Sequence, residues 1–149
     1  MPFYHGSNRP FEPGTVLQGR GDRYEKEWGD CDYFWVLELY RPSGFLPHRS
    51  AVFMVSQIED MDLTRGCTEW CLQVEPGEYL SKHDLHWLSV ISRLMGDGHD
   101  HNSEAVTTAA RNYWAGVPHP NESLWEYLTE TVTVLHCEPL EAAGMGIAP

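Results

Sequence analysis

The stretch "WEYLTETVTVL", residues 125–135, decides the fold prediction. Its second half alternates threonine with valine, and both residue types favour extended strands. We predict a strand here, near the end of the chain. If residues 126–134 form one regular strand, Glu126 shares a face with Leu128 and Val132. A carboxylate on an otherwise apolar face is costly unless it has a partner or a function, so Glu126 is a candidate catalytic acid.

Three alternatives for this acid stay open. Glu130 lies on the same predicted face and is the second candidate. Ser123 and Glu126 also have the spacing of a helix capping box, in which the glutamate has only a structural role. A plain solvated acid is the third reading.

Outward from this stretch, short strands and helices are interspersed without a regular βαβ rhythm. Strands are predicted over 3–5, 15–18, 50–56 and 69–75, and helices over 33–40, 57–63, 83–95 and 103–115. Ser103 is the expected N-cap of the last helix, and Gly116 follows its end. We therefore predict one α+β domain over 1–149, with a flexible tail over 142–149.

Composition narrows the range of functions. The chain has 149 residues, 22 acidic against 10 basic, and a formal net charge of −12. This balance argues against charge-driven binding to nucleic acid or to an anionic membrane. We find no signal peptide and no apolar run of the roughly 20 residues that span a bilayer, and we expect a cytoplasmic protein. The four cysteines lack the paired spacing of a zinc site, so we expect reduced thiols and no metal.

The stretch "FYHGSN", residues 3–8, places His5 and Gly6 where the first strand should end. One reading is a strand closed by a turn glycine. The other is a site where His5 and Gly6 bind a ligand at the end of the strand. A histidine offers two ring nitrogens for hydrogen bonds, and a glycine lets a ligand approach the backbone closely.

A His-Gly pair near the start, the apolar strand "AVFMVS" and an acid opening a late strand follow one another in this order. That order resembles the ADP-ribosyltransferase superfamily, in its diphtheria-toxin and poly(ADP-ribose) polymerase branch. "YHG" and the later "VEPG", residues 74–77, are similar to motifs of the small rifampin ADP-ribosyltransferases. The resemblance implies two short mixed or antiparallel sheets that form a split barrel with flanking helices.

The resemblance also implies roles in cleaving NAD between nicotinamide and ribose. Glu126 would stabilise the oxocarbenium-like transition state. His5 would bind a ribose hydroxyl, with Gly6 beside the nicotinamide carboxamide and Ser7 near the ribose. Phe53 would pack against nicotinamide, although the family usually has a tyrosine there.

The pattern departs from the family at a second position. Thr64 stands where the polymerases have another tyrosine, and Tyr79 could take its place. Arg20 and Arg23, clustered in an early loop, are candidates for the NAD pyrophosphate. Asp84 matches a functional aspartate of the rifampin enzymes, but "SKHD" also reads as a helix start with Ser81 as N-cap.

The sequence therefore predicts a mono-ADP-ribosyltransferase that uses NAD as substrate and an unidentified protein or small molecule as acceptor. The alternative is a catalytically inactive binding or inhibitor module on the same fold, with an acidic surface that contacts a basic protein partner. The histidines of "HDH", residues 99–101, read as an exposed polar loop.

Overall fold

The computed structural model describes residues 1–28, 33–64 and 69–143. The strands are β1 (Phe3–Ser7), β2 (Val16–Gln18), β3 (Val52–Met54), β4 (Trp70–Pro76), β5 (Ser81–Asp84), β6 (Trp125–Thr129) and β7 (Thr131–Pro139). The helices are α1 (Asp22–Trp28), α2 (Phe34–Leu39), α3 (His86–Gly96), α4 (Glu104–Ala115) and α5 (Leu140–Ala143), with 3₁₀ helices at His48–Ser50 and Ile58–Thr64. The predicted mixture of helices and strands is confirmed.

The strands form two small antiparallel sheets. One has the order β1-β4-β7-β2 and the other the order β3-β6-β5. An isolated β-bridge between Tyr4 and Val55 links them. Across the described ranges the strands close no barrel, so the structure shows two antiparallel sheets and not the complete split barrel of the prediction.

Residues 126–134 are not one regular strand, so the condition on which Glu126 was grouped with Leu128 and Val132 is not met. The chain turns at Glu130, which is exposed, and β6 and β7 belong to different sheets. The hydroxyl of Thr129 fixes the turn by donating to the carbonyl oxygen of Glu78 at 2.8 Å. Consequently Leu128 and Val132 pack in two separate cores, and the shared face that we predicted for them does not exist.

Apolar side chains fill two layers. Between the sheets, the rings of Phe3 and Tyr127 meet edge to face with centroids 5.0 Å apart, inside a cluster of aliphatic residues. On the opposite face of the β3-β6-β5 sheet, α2, α3 and α4 pack around Trp114 and Tyr113. The smaller sheet is therefore covered on both faces, which buries every described residue from Ala51 to Val55.

Two further boundaries differ from the prediction. β1 does not end before Gly6 but continues through it to Ser7, paired with β4. Ser81–Asp84 is not the start of a helix but β5, in which His83 lies opposite Glu126. Because Glu126 is thereby in a strand, the capping-box reading of Glu126 is also wrong.

The helix signals near residue 103 are confirmed. The side chain of Ser103 accepts a hydrogen bond from the Val106 backbone N–H, and Gly116 ends α4 with a φ of 72°. The helix predicted over 33–40 is present as α2. The tail predicted over 142–149 lies largely outside the described residues. None of the described helices has the length and apolar character to cross a membrane.

Candidate functional site

A cleft of about 680 Å³ opens beside the N-terminal strand. Three segments that are distant in sequence supply its walls: β1 with the loop after it, the β2–α1 segment, and β3 with the residue before it. The described lining residues are His5, Gly6, Ser7, Asn8, Arg9, Phe11, Leu17, Gln18, Arg20, Arg23, Glu27, Ala51, Val52 and Phe53. The cleft thus brings together six of the predicted site residues: His5, Gly6, Ser7, Phe53, Arg20 and Arg23.

His5 is fixed in one tautomer by its neighbour on β3. Its Nδ1 lies 2.7 Å from the carbonyl oxygen of Phe53, and because a carbonyl can only accept, Nδ1 carries the proton. Burial lowers the pKa of His5, the bond to Phe53 raises it, and the positive charge of Arg20 lowers it, to about 4 in all. At neutral pH the ring is therefore uncharged, and its Nε2 is a hydrogen-bond acceptor suited to a hydroxyl group.

Gly6 and Ser7 form hydrogen bonds with other groups of the protein. The backbone N–H of Gly6 donates to the hydroxyl of Thr64 at 3.1 Å. The hydroxyl of Ser7 donates to the carbonyl of Arg9 at 2.7 Å and accepts from its N–H at 3.2 Å. Ser7 therefore shapes the turn that carries Arg9 to the cleft.

Arginines dominate the charge of the cleft. Arg9, Arg20 and Arg23 line it together with one acid, Glu27. The Arg20 Nε lies 3.5 Å from a carboxylate oxygen of Glu27. In a chain of net charge −12, a concave surface with this excess of guanidinium groups favours an anionic ligand.

Helix α1 is tied to the rest of this wall. Arg49 forms ion pairs with Asp22 and with Glu25, and its carbonyl accepts from the backbone N–H of Gly21 at 2.8 Å. The segment that carries Arg20 and Arg23 is thus attached to the residues that precede β3.

Phe53 forms the inner support of the cleft. Its side chain is 2% exposed and stacks on Tyr24, with ring centroids 6.0 Å apart. The ring of His48 meets it edge to face at 5.4 Å. The Phe53 ring therefore packs toward the helices, and its carbonyl holds His5.

Glu126 is not among the described residues that line the cleft. It is fully buried, and one of its carboxylate oxygens accepts a hydrogen bond from the hydroxyl of Tyr113. The neighbouring strand places His83 opposite it. The structure therefore does not bring the predicted catalytic acid to the described surface of the cleft.

Asp84 is also buried away from the cleft. Its carboxylate accepts from the backbone N–H groups of His119 at 2.8 Å, Leu124 at 2.9 Å and His86 at 3.0 Å. Burial raises the pKa of Asp84, but these bonds and one from Ser123 outweigh it and hold the pKa below its usual range. Asp84 therefore fastens the 117–124 segment to the end of β5.

The other candidates lie at the surface. Glu130 and Tyr79 are exposed, as are the three residues of the 99–101 loop. Among the described residues no group of three side chains is arranged to hold a metal ion.

Sequence reasoning missed Arg9, Phe11 and Glu27. The guanidinium of Arg9 lies 4.8 Å from the ring centroid of Phe11, so the loop after β1 presents a cation and an aromatic face together. The signal was available, because Arg9 and Phe11 directly follow the "YHGSN" motif. Glu27 carried no local signal, since its place depends on how α1 docks.

Comparison of the chain with protein-family models, with curated proteins and with solved structures yields no match in any of the three searches.

Proposed function

We propose that this protein binds NAD in the cleft and transfers its ADP-ribose to a protein or small-molecule acceptor. One observation carries the proposal: His5, the Arg20–Arg23 segment and Phe53 come from three distant parts of the sequence and meet at a single cleft. Two of these residues, His5 and Phe53, belong to the motifs in which the chain resembles the ADP-ribosyltransferases.

The size and charge of the cleft support a dinucleotide ligand. A volume of about 680 Å³ falls in the range of small-molecule and cofactor sites, roughly 300–1,000 Å³. Guanidinium groups bind phosphate oxygens in a bidentate manner, and Arg9, Arg20 and Arg23 supply them for a pyrophosphate. The neutral His5 supplies an acceptor for a ribose hydroxyl through Nε2.

The proposed reaction is a displacement at the ribose carbon that bears nicotinamide. The carbon–nitrogen bond breaks, and its electron pair neutralises the positive ring nitrogen of the departing nicotinamide. A lone pair of the acceptor forms the new bond to the same carbon, and the acceptor loses its proton to a base or to solvent. With water as acceptor, the same steps hydrolyse NAD.

A second candidate function is a binding module on this fold without transferase chemistry. The observation that favours it is the burial of Glu126, which is bonded to Tyr113 and is not among the described cleft residues. In this case the acidic surface of the protein contacts a basic protein partner, and the cleft binds a phosphorylated ligand without cleaving it.

Isothermal titration with NAD tests the binding proposal. We expect micromolar to millimolar affinity in the wild type, and at least about tenfold weaker binding in His5→Ala and in Arg23→Gln. Arg93→Gln is the matched control, because Arg93 is an exposed arginine of α3 that does not line the cleft. Absence of binding at millimolar NAD, or an equal loss in the control, contradicts the proposal.

Release of nicotinamide separates the two functions. A transferase or hydrolase releases nicotinamide from NAD at a rate that falls in His5→Ala. A binding module retains NAD affinity and releases none, and the next step is then a search for a basic protein that it binds.

A further inference from the structure

A chain of buried hydrogen bonds runs from Glu126 toward the cleft. The hydroxyl of Tyr113 donates to the Glu126 carboxylate. Since that hydroxyl has only one proton, its oxygen accepts from Nε2 of His48 at 3.0 Å. Nδ1 of His48 lies 3.3 Å from the hydroxyl of Tyr24 and 3.7 Å from a carboxylate oxygen of Glu38. The chain therefore runs from Tyr24 through His48 and Tyr113 to Glu126.

Every member of this chain is buried. Tyr24 is 5% exposed, and His48, Tyr113 and Glu126 are all 0% exposed. A polar group in such surroundings is stable only while its hydrogen bonds are made, and hydrogen bonds are stronger there than in water. The chain therefore fixes the relative position of β6, α4, the 48–50 turn and α1, which supply its four members.

Two links connect the chain to the cleft. Tyr24 and His48 contact the ring of Phe53, and the carbonyl of Phe53 holds His5. Tyr24 also lies on α1 beside Arg23, which lines the cleft. The predicted residues His5, Phe53 and Glu126 are thus arranged along one line of contacts.

We propose that Glu126 is a positioning residue that acts on the cleft through Tyr113, His48 and Tyr24, and that these three are further positioning residues of the ligand site. This inference rests on the proposed function for its ligand, NAD. It differs from the predicted role of Glu126, because the carboxylate holds Tyr113 and does not touch the substrate.

The contrast between amide and carboxylate separates positioning from catalysis. Glu126→Gln retains an oxygen that accepts from Tyr113, so we expect its NAD affinity within about twofold of the wild type. Glu126→Leu removes the acceptor, and Tyr113→Phe removes the donor. We expect each to weaken NAD binding about tenfold. The double variant Glu126→Leu/Tyr113→Phe should bind no more weakly than either single variant, because both break the same chain.

Tyr40→Phe is the matched control. It is the same substitution as Tyr113→Phe, and it removes the hydrogen bond that the Tyr40 hydroxyl donates to the carbonyl oxygen of His101 at 3.0 Å. Tyr40 does not belong to the chain and is not among the described cleft residues, so this variant should bind NAD as the wild type does.

Amide hydrogen exchange tests the same inference without a ligand. The N–H of Gly21 donates to Arg49 at 2.8 Å and the N–H of Tyr24 to Gly21 at 3.0 Å, at the base of the cleft wall. We expect Tyr113→Phe to speed exchange of both amides about tenfold and Tyr40→Phe to leave them unchanged.

Two results overturn the inference. One is unchanged exchange and unchanged NAD affinity in Tyr113→Phe. The other is loss of nicotinamide release in Glu126→Gln with full NAD binding, which would mean that the carboxylate acts on the substrate. If the wild type does not bind NAD, the proposed function fails. The exchange data then decide alone whether the chain of hydrogen bonds stabilises the cleft wall around Gly21 and Tyr24.

Discussion

Nδ1 of His5 donates to the carbonyl oxygen of Phe53 across 2.7 Å, and this bond joins the first strand to a strand of the other sheet. It selects the Nδ1–H tautomer and leaves Nε2 as an acceptor. Because the ring is largely withdrawn from water and lies near the charge of Arg20, the imidazolium form is disfavoured. The same contact therefore determines which ring nitrogen can accept a hydrogen bond and contributes to the pH dependence of stability.

We expect protonation of His5 to destabilise the fold below neutral pH. Its pKa falls from 6.5 in the unfolded chain to about 4 in the folded protein, so the unfolded chain binds more protons between these values. The free energy of unfolding should thus fall as pH drops from 6.5 toward 4, by at most about 3 kcal/mol from this group. Urea unfolding across this range measures the loss.

His5→Asn is the control for that measurement. Its amide can still donate to the Phe53 carbonyl but does not titrate. The difference between wild type and variant isolates His5 from the buried histidines His48 and His83. Parallel curves for the two proteins would contradict the assignment.

The sequence predicted the cleft residues better than it predicted the acid. "YHGSN" and the early arginines are short local signals, and the structure places them together at one surface. The placement of Glu126 was predicted from an alternating strand pattern that continues across residue 130. No local feature indicated that β6 and β7 would pair with different partners, since pairing is decided by contacts distant in sequence.

Asp84 illustrates a second limit. A serine three positions before an aspartate has the spacing of a helix start, and a real helix begins only two residues after Asp84. The carboxylate accepts one N–H from His86, the first residue of that helix, and two more from a segment 35 to 40 residues later. By contrast, Ser103 and Gly116 were predicted correctly. Each of them caps α4 through hydrogen bonds to residues no more than four positions away in the sequence.

We expect Asp84→Ala to destabilise the fold by about 3 kcal/mol, because it leaves three partly buried N–H groups without their acceptor. Since the pKa of Asp84 is lowered in the folded state, the stabilisation is complete above its ordinary value of 3.8 and is lost as pH falls below that value. Chemical denaturation at pH 7 and at pH 3 measures both effects.

NAD titration of the same variant separates structure from chemistry. Asp84 is not among the described cleft residues, so a folded Asp84→Ala should bind NAD as the wild type does. Asp97→Ala, on an exposed residue, is the control for loss of charge. Weaker NAD binding in Asp84→Ala alone would mean that Asp84 contributes to the ligand site.

Gly19 is required by a close approach of two backbone segments. A Cβ at this position would lie 2.4 Å from the carbonyl carbon of Ser50 and 2.7 Å from the nitrogen of Ala51. Because both contacts are backbone atoms, Gly19→Ala must push the 18–20 segment away from the residues before β3. We expect a loss of about 2 kcal/mol in the free energy of unfolding.

The same displacement should widen the cleft, since Gln18, Arg20 and Ala51 line it. NAD binding should therefore weaken more in Gly19→Ala than stability alone explains. Gly96→Ala is the control, because a Cβ there meets no atom within 4 Å and lies at the end of α3. Equal stability and equal NAD affinity in the two variants would mean that the 18–20 segment can move away from Ser50 and Ala51 without a loss of stability.

Tyr79 has a φ of 61°, in the left-handed region, and its side chain is 64% exposed. This conformation costs a residue with a Cβ about 1–2 kcal/mol, whereas glycine adopts it freely. After allowance for the larger entropy of glycine in the unfolded chain, we expect Tyr79→Gly to raise the free energy of unfolding by up to about 1 kcal/mol. Leu80→Gly, at an exposed neighbour with ordinary φ, should lower it instead. If both variants destabilise equally, the Tyr79 ring makes contacts that outweigh its backbone strain.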